Sequence, residues 1–255
     1  MTSKIKQQVI TAGRVLAETG LIVRTWGNVS ARVDDDTFCV TASGRNYMKL
    51  TEEEVIDVKI SDLSWSGDFK PSSEMLMHRE IYRVRPETKF IIHTHQKYAS
   101  AMGCSGVSDP DKGIVISEYG VSGSRQLAVN VAKAADKTSG KAIIMKNHGV
   151  VTFGRSYKEA FRAAMDLEEK CRILIQKMGV TEECRKEKPY LDDYAMLIGS
   201  GDIPDEDREA ARLLTVKNAV AAAVAKQYGA APLDEKNVEY LRKKYIESYS
   251  KLENA

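Results

Sequence analysis

The residues most able to do chemistry in this chain are its four histidines, His78, His93, His95 and His148, because closely spaced imidazoles can hold a metal ion or move a proton. His93-Thr94-His95 is informative by its spacing. Alternate residues of a strand project to one face, so a His-x-His at a strand end presents two imidazoles to one point. His148 follows a separate apolar run and stands just before a glycine, in Lys146-Asn147-His148-Gly149. Three neutral imidazoles suit Zn²⁺, and a catalytic zinc keeps a further position open for water, a carboxylate or substrate. Glu74 precedes His78 by one helical turn, which places both on one helix face. They are either a helix-borne metal pair, or His78 is a core imidazole satisfied by a neighbour. The sequence leaves both readings open.

Around these residues lie groups that bind anions. Ser72-Ser73 stand at the predicted start of a helix, and the loops Gly27-Asn28 and Ser43-Gly44 offer an amide, a hydroxyl and free backbone N–H groups. Such groups, with the positive end of a helix dipole, attract a phosphate. Three of them flanking a metal site point to a phosphate subsite.

The elements that must position these groups are legible from periodicity. Ile5, Val9, Ala12 and Leu16 recur at helical spacing over residues 3–17, and Gly20 provides a stop. Residues 25–32 and 37–41 read as two short strands around the acidic turn Asp34–Asp36. Thr51-Glu52-Glu53-Glu54 has capping-box spacing and predicts a short helix, with strands over 55–60 and 62–65 after it. Pro71-Ser72-Ser73-Glu74 predicts a helix N-capped by serine that stops before Pro86. Residues 89–93 and 141–145 read as buried strands, the second returning through 150–153. Ser156-Tyr157-Lys158-Glu159 caps a long helix to about Met178. Beyond Thr181 the texture becomes charged and helical, over 204–228 and 234–249, read as a helical extension packed on the core.

Composition excludes several classes. At 255 residues, with 43% hydrophobic and 29% charged side chains, the chain can bury one sizeable core and is neither disordered nor a disulfide mini-protein. Its 38 Lys+Arg against 36 Asp+Glu leave +2, without the basic excess of a non-specific nucleic-acid binder. No apolar run approaches the ~20 residues of a membrane span, and the first residues lack signal-peptide zones, so a cytoplasmic protein with no membrane partner is expected. Cys39, Cys104, Cys171 and Cys184 contain no C-x-x-C pair and are read as buried or half-buried thiols.

Five motifs in order, Gly27-Asn28-Val29-Ser30, Thr41-Ala42-Ser43-Gly44, Pro71-Ser72-Ser73-Glu74, His93-Thr94-His95 and Asn147-His148-Gly149, resemble the class II aldolase/adducin family over residues 3–180. That resemblance implies an α/β fold, a three-layer α/β/α arrangement around a mostly antiparallel sheet, as a domain over 1–180 with the extension over 181–255. It implies a homotetramer with active sites at subunit interfaces, one zinc on His93, His95 and His148, and a phosphate held by Gly27, Asn28, Ser43, Gly44, Ser72 and Ser73. Glu74 would be the catalytic acid/base. The activity implied is cleavage of a small ketose 1-phosphate to dihydroxyacetone phosphate and an aldehyde through a metal-bound enediolate. The alternatives within the family are a methylthioribulose-1-phosphate dehydratase, a 3-oxo-acid phosphate decarboxylase and a pentulose-phosphate 4-epimerase. Glutamate at 74 disfavours the epimerase, which resembles this pattern with aspartate there, and the three retained histidines disfavour an adducin-like interaction module. Of the tyrosines that donate protons in fuculose-phosphate aldolases, the one between the second and third histidines has no match, since Tyr119 in that segment resembles a different residue of the family, and for the C-terminal one the candidates are Tyr190, Tyr194 and Tyr228.

Overall fold

A computed structural model describes residues 2–22, 24–180, 188–198 and 205–252. Among these, seven strands form one sheet in the order β3-β2-β1-β4-β7-β6-β5. They are β1 (Asn28–Arg32), β2 (Thr37–Thr41), β3 (Val55–Lys59), β4 (Phe90–Thr94), β5 (Ile116–Ser117), β6 (Ala142–Met145) and β7 (Val150–Gly154). Every pairing is antiparallel except β5 with β6. Eight α-helices are described: α1 (Thr2–Glu18), α2 (Met75–Val84), α3 (Lys97–Gly103), α4 (Arg125–Lys137), α5 (Tyr157–Lys177), α6 (Asp192–Ile198), α7 (Arg208–Gln227) and α8 (Glu235–Leu252). The result is a three-layer α/β/α fold. No described helix is long and apolar enough to cross a membrane.

The layers follow from the period-two rule. Along β4, Ile91 packs with Phe38, Val40 and Met77, Ile81 of α2 and Leu127, Val131 of α4, while Ile92 faces the other way, onto Val9 and Leu16 of α1 and Ala160, Ala164 of α5. A third cluster joins Ile144 and Val150 of the sheet to Ala101 of α3, Leu167 of α5, Leu191 just before α6, Leu197 of α6, Leu214, Val220, Val224 of α7 and Tyr245 of α8. The carboxyl-terminal helices thus share the core of the sheet.

Antiparallel pairing brings the chemistry-bearing segments to one edge. Asn28, at the start of β1, pairs with His93 near the end of β4, and Thr94 pairs with Val150 at the start of β7. The end of β2 and its continuation lie at that same edge, where Ala42 bridges Pro71.

Three local expectations change. The segment 51–54 is a turn closed by Val55 N–H to Glu52 C=O, and although Glu54 accepts from Thr51 N–H at 3.0 Å, no helix follows because the chain must enter β3 at Val55. The predicted strand at 62–65 reduces to an isolated bridge between Trp65 and Val58. α2 begins at Met75 with Glu74, not a serine, in the cap position and without a side-chain cap bond. The Ser72 hydroxyl instead accepts from Glu74 N–H at 3.3 Å. Cys39, Cys104 and Cys171 are buried free thiols, and burial pushes the Cys39 thiol up to about 12, away from reactivity. Cys184 lies outside the described residues.

Candidate active site

His93, His95 and His148 converge, with one ring nitrogen of each within 4.8 Å of the others, all three buried. Two glycines permit the approach. A Cβ on Gly149 would stand 2.5 Å from the Thr94 carbonyl oxygen and 3.1 Å from His93 Cε1. A Cβ on Gly27, whose φ is +126°, would stand 2.8 Å from the His93 carbonyl oxygen.

Each ring has a partner behind it. His93 Nδ1 donates to the Val150 carbonyl at 2.9 Å. His95 Nδ1 lies 3.3 Å from Asp193 Oδ2, and His148 Nδ1 lies 3.7 Å from Asp192 Oδ2. With Nδ1 of His93 and His95 hydrogen-bonded and that of His148 turned to Asp192, the three Nε2 atoms are left to serve a ligand. Burial lowers His95 to about 4 and His148 to about 3, so both are neutral donors near neutrality.

Glu74 completes the cluster. Its Oε2 lies 3.0 Å from His93 Nε2 and its Oε1 3.4 Å from His148 Nε2. A carbonyl can only accept, so the Nδ1 of His93 carries a proton and its Nε2 is the nitrogen turned to Glu74. That buried Nε2 has no hydrogen-bond partner. Two electron-rich atoms at 3.0 Å require a cation or a proton between them, and the residues present therefore fit a divalent metal. Burial opposes charge on Glu74, but the facing histidines outweigh it and hold its carboxyl well below the usual range. Ser122 donates to Oε1 at 3.1 Å and Asn28 Nδ2 to Oε2 at 3.2 Å, which fix the carboxylate plane.

His78 lies on α2 and is bonded into β1 rather than joining the three-histidine cluster. Its Nε2 meets Asn28 Oδ1 at 2.5 Å and its Nδ1 meets Ser30 Oγ at 2.6 Å, and Ser30 Oγ meets Tyr82 Oη at 2.8 Å. The donors are determined from one end. Glu74 accepts only, so Asn28 gives it the amide N–H and offers His78 its carbonyl. His78 then donates through Nε2 and accepts from Ser30 through Nδ1, and Tyr82 donates to Ser30. Burial, with His93 nearby, lowers His78 to about 3, consistent with one neutral tautomer. The core alternative holds for His78, and its neighbours connect it to Glu74.

The proposed anion loops sit side by side. Ser43 N–H donates to Lys70 C=O and Ser72 N–H to Thr41 C=O. Ser43, Gly44 and Ser73 are exposed, whereas Ser72 and Asn28 are buried. The Asn28 side chain is committed to Glu74 and His78. Sequence reasoning missed Asp192, Asp193, Lys217 and Ser122. Of these, only the acidic pair in Leu191-Asp192-Asp193-Tyr194 carries a local signal, acids in a first helical turn. Among the tyrosines, Tyr119 donates to Asp192 Oδ1 at 3.0 Å, and burial raises its pKa far above the usual value.

A family model described as Class II Aldolase and Adducin N-terminal domain matches residues 7–175. The 3-oxo-tetronate 4-phosphate decarboxylase of Haemophilus influenzae is 30% identical over 188 residues, 68% of this chain and 88% of that protein. Among solved structures, an L-fuculose 1-phosphate aldolase aligns with a TM-score of 0.64 at 25% identity, covering 89% of this chain and 97% of the other. The L-fuculose-1-phosphate aldolase of Thermus thermophilus aligns with a TM-score of 0.58 at 25% identity, covering 69% of this chain and 95% of the other.

Proposed function

The chain belongs to the class II aldolase and adducin family, and from that premise we propose that it is a metal-dependent carbon–carbon lyase that cleaves a small phosphorylated ketose to dihydroxyacetone phosphate and an aldehyde. The observation that carries this reading is Glu74, held between His93 and His148 at 3.0 and 3.4 Å by Asn28 and Ser122. His93, His95 and His148 would hold the metal, with Glu74 as a further ligand before substrate arrives, and an all-nitrogen set plus a carboxylate favours zinc. When bound, the ion polarises the substrate carbonyl as a Lewis acid.

Glu74 moves the proton. A base takes the proton of the C4 hydroxyl, the C3–C4 bond breaks to release the aldehyde and leaves its electron pair on C3 as a three-carbon enediolate, and Glu74 in its acid form returns a proton to C3. In the reverse sense the carboxylate removes the same proton from dihydroxyacetone phosphate. Its low pKa makes the base the resting form. Gly27, Asn28, Ser43, Gly44, Ser72 and Ser73 are proposed to hold the phosphate end. Since the N–H groups of Ser43 and Ser72 are already bonded to Lys70 and Thr41 carbonyls, the serine hydroxyls and the N–H groups of Gly44 and Ser73 are the neutral donors proposed for it, which suits a near-neutral chain whose anion binding is local.

A second reading is favoured by the Haemophilus relative. Loss of CO₂ from a 3-oxo-tetronate 4-phosphate leaves the same three-carbon enediolate, so Glu74 has the same duty and only the departing fragment differs. The experiment that tests both is deuterium exchange. Metal-loaded protein incubated with dihydroxyacetone phosphate in D₂O exchanges one carbon-bound hydrogen if the shared half-reaction occurs. Absence of exchange, with no turnover of a ketose-phosphate and 3-oxo-acid phosphate panel, sinks the proposal. The co-product, aldehyde or CO₂, then separates the two readings. The interface active sites of a homotetramer belong to the same proposal, and sedimentation of the full chain measures the assembly.

A further inference from the structure

The histidine cluster is supported from behind by residues far away in sequence, and one of these supports is costly to build. Lys217 of α7 is 3% exposed and Asp193 of α6 is fully buried. Lys217 Nζ donates to Asp193 Oδ2 at 2.5 Å and to the His95 main-chain carbonyl at 2.8 Å. The same Oδ2 faces His95 Nδ1 at 3.3 Å. One lysine therefore holds His95 at both its backbone and its ring, the latter through the carboxylate.

Helix capping alone does not explain this arrangement. Asp193 lies in the first turn of α6 and accepts from Tyr194 N–H through Oδ1 at 2.9 Å, which an exposed acid could do equally well. Removing an ammonium and a carboxylate from water costs several kcal/mol per ion, and an apolar pair of similar volume often holds a fold as well or better. What an apolar pair cannot do is accept a proton from His95 Nδ1. Metal-ligating histidines almost always donate their second ring N–H to a carboxylate or carbonyl, which sets tautomer and ring orientation. Two of the three rings here follow that pattern, His93 to the Val150 carbonyl and His95 to Asp193. His148 Nδ1 and Asp192 Oδ2, both buried without a hydrogen-bond partner, face each other at 3.7 Å from the preceding residue of α6.

We propose that Asp193 and Lys217 are positioning residues of the metal site, Lys217 fixing the carboxylate and the His95 carbonyl together so that His95 presents Nε2 toward His93 and His148. The inference rests on the metal reading above and adds that α6 and α7 are part of the site, not only a cover for the sheet. Metal binding then stiffens the link between the sheet edge and these helices.

The test is metal affinity of the full-length chain, measured by chelator competition with Zn²⁺ alone and by the visible spectrum with Co²⁺ alone. The metal-free melt is recorded in parallel. Asp193→Asn is expected to weaken binding roughly 10–100-fold and to alter the cobalt spectrum. Asp193→Leu with Lys217→Met removes both charges and leaves no buried ion unpaired, so it keeps the fold. It is expected to show the same loss of affinity with a near-normal metal-free melt. Wild-type affinity and an unchanged spectrum in this double variant would overturn the proposal, whatever happens to the melt. A wild-type protein that binds neither ion would overturn the metal reading itself, a result distinct from the first.

Discussion

Replacing His78 with phenylalanine tests whether the hydrogen-bonded chain behind Glu74 is ordered as derived. The substitution keeps a ring of similar size but removes two buried bonds, to Asn28 Oδ1 and Ser30 Oγ. Each orphaned buried group costs about 1–3 kcal/mol, so the expected loss at pH 7 is about 2–6 kcal/mol. For a chain of this size ~1 kcal/mol corresponds to about 2–4 °C in the melt. The loss should shrink in acid. His78 is neutral in the folded protein down to about pH 3, whereas the unfolded histidine takes a proton below about 6.5. Wild-type stability from this group is thus full above about pH 6.5 and falls as pH falls toward 3, a dependence the phenylalanine lacks. Between pH 7 and 5 the gap between the two proteins should narrow by about 2 kcal/mol. Without His78, Asn28 is free to turn its carbonyl toward the Glu74 carboxylate, so proton exchange should fall too. His78→Gln retains a donor for Asn28 and loses the Ser30 bond; it should recover exchange more fully than stability. Urea melts at the two pH values and the exchange rate are the measurements. A gap that does not change with pH, or a phenylalanine variant within about 1 kcal/mol of wild type, would refute the derived donor order.

Glu74→Gln should retain metal and fold while lowering dihydroxyacetone phosphate exchange by about 10²-fold or more, read by mass spectrometry. A near-normal rate would move the proton-transfer role elsewhere. His148→Ala should lose metal and activity together, read by metal analysis after dialysis, because it removes one of the three imidazoles that converge on the site. Gly149→Ala places a Cβ 2.5 Å from the Thr94 carbonyl oxygen. It should separate the two histidine segments, weakening metal binding as well as lowering the melting temperature. Ser73→Ala, at an exposed position outside the buried network, should raise KM for phosphorylated substrate with little change in stability. A change in kcat alone would argue against a phosphate role.

Part of the site was readable because it is written in local spacing. His93 and His95 share a face by the period of a strand, and both histidine segments follow apolar runs that become β4 and β6. Strand, turn and long-helix expectations around 28–41, 141–154 and 156–178 hold because hydrophobic period and cap chemistry agree there. They diverge where tertiary demands override a local preference. The capping-box pattern at 51–54 yields to entry into β3. The cap position of α2 holds Glu74, whose side chain is turned to the histidines and leaves the helix end without a side-chain cap.

The sequence by itself singled out the cluster, three imidazoles and one carboxylate, and the kind of elements that carry it, since residue identity and short-range periodicity are local properties. The tertiary structure alone decided the partners. His78 became the support of Asn28 because β1 pairs beside β4 beneath α2. His95 came under the control of Asp193 and Lys217 because α6 and α7 pack against that sheet edge. Nothing in an acidic pair at a helix start, or a lysine on a helix, distinguishes a solvated charge from a buried one. That distinction is made by which surfaces close over them, and by the cost of burying an ion without its partner.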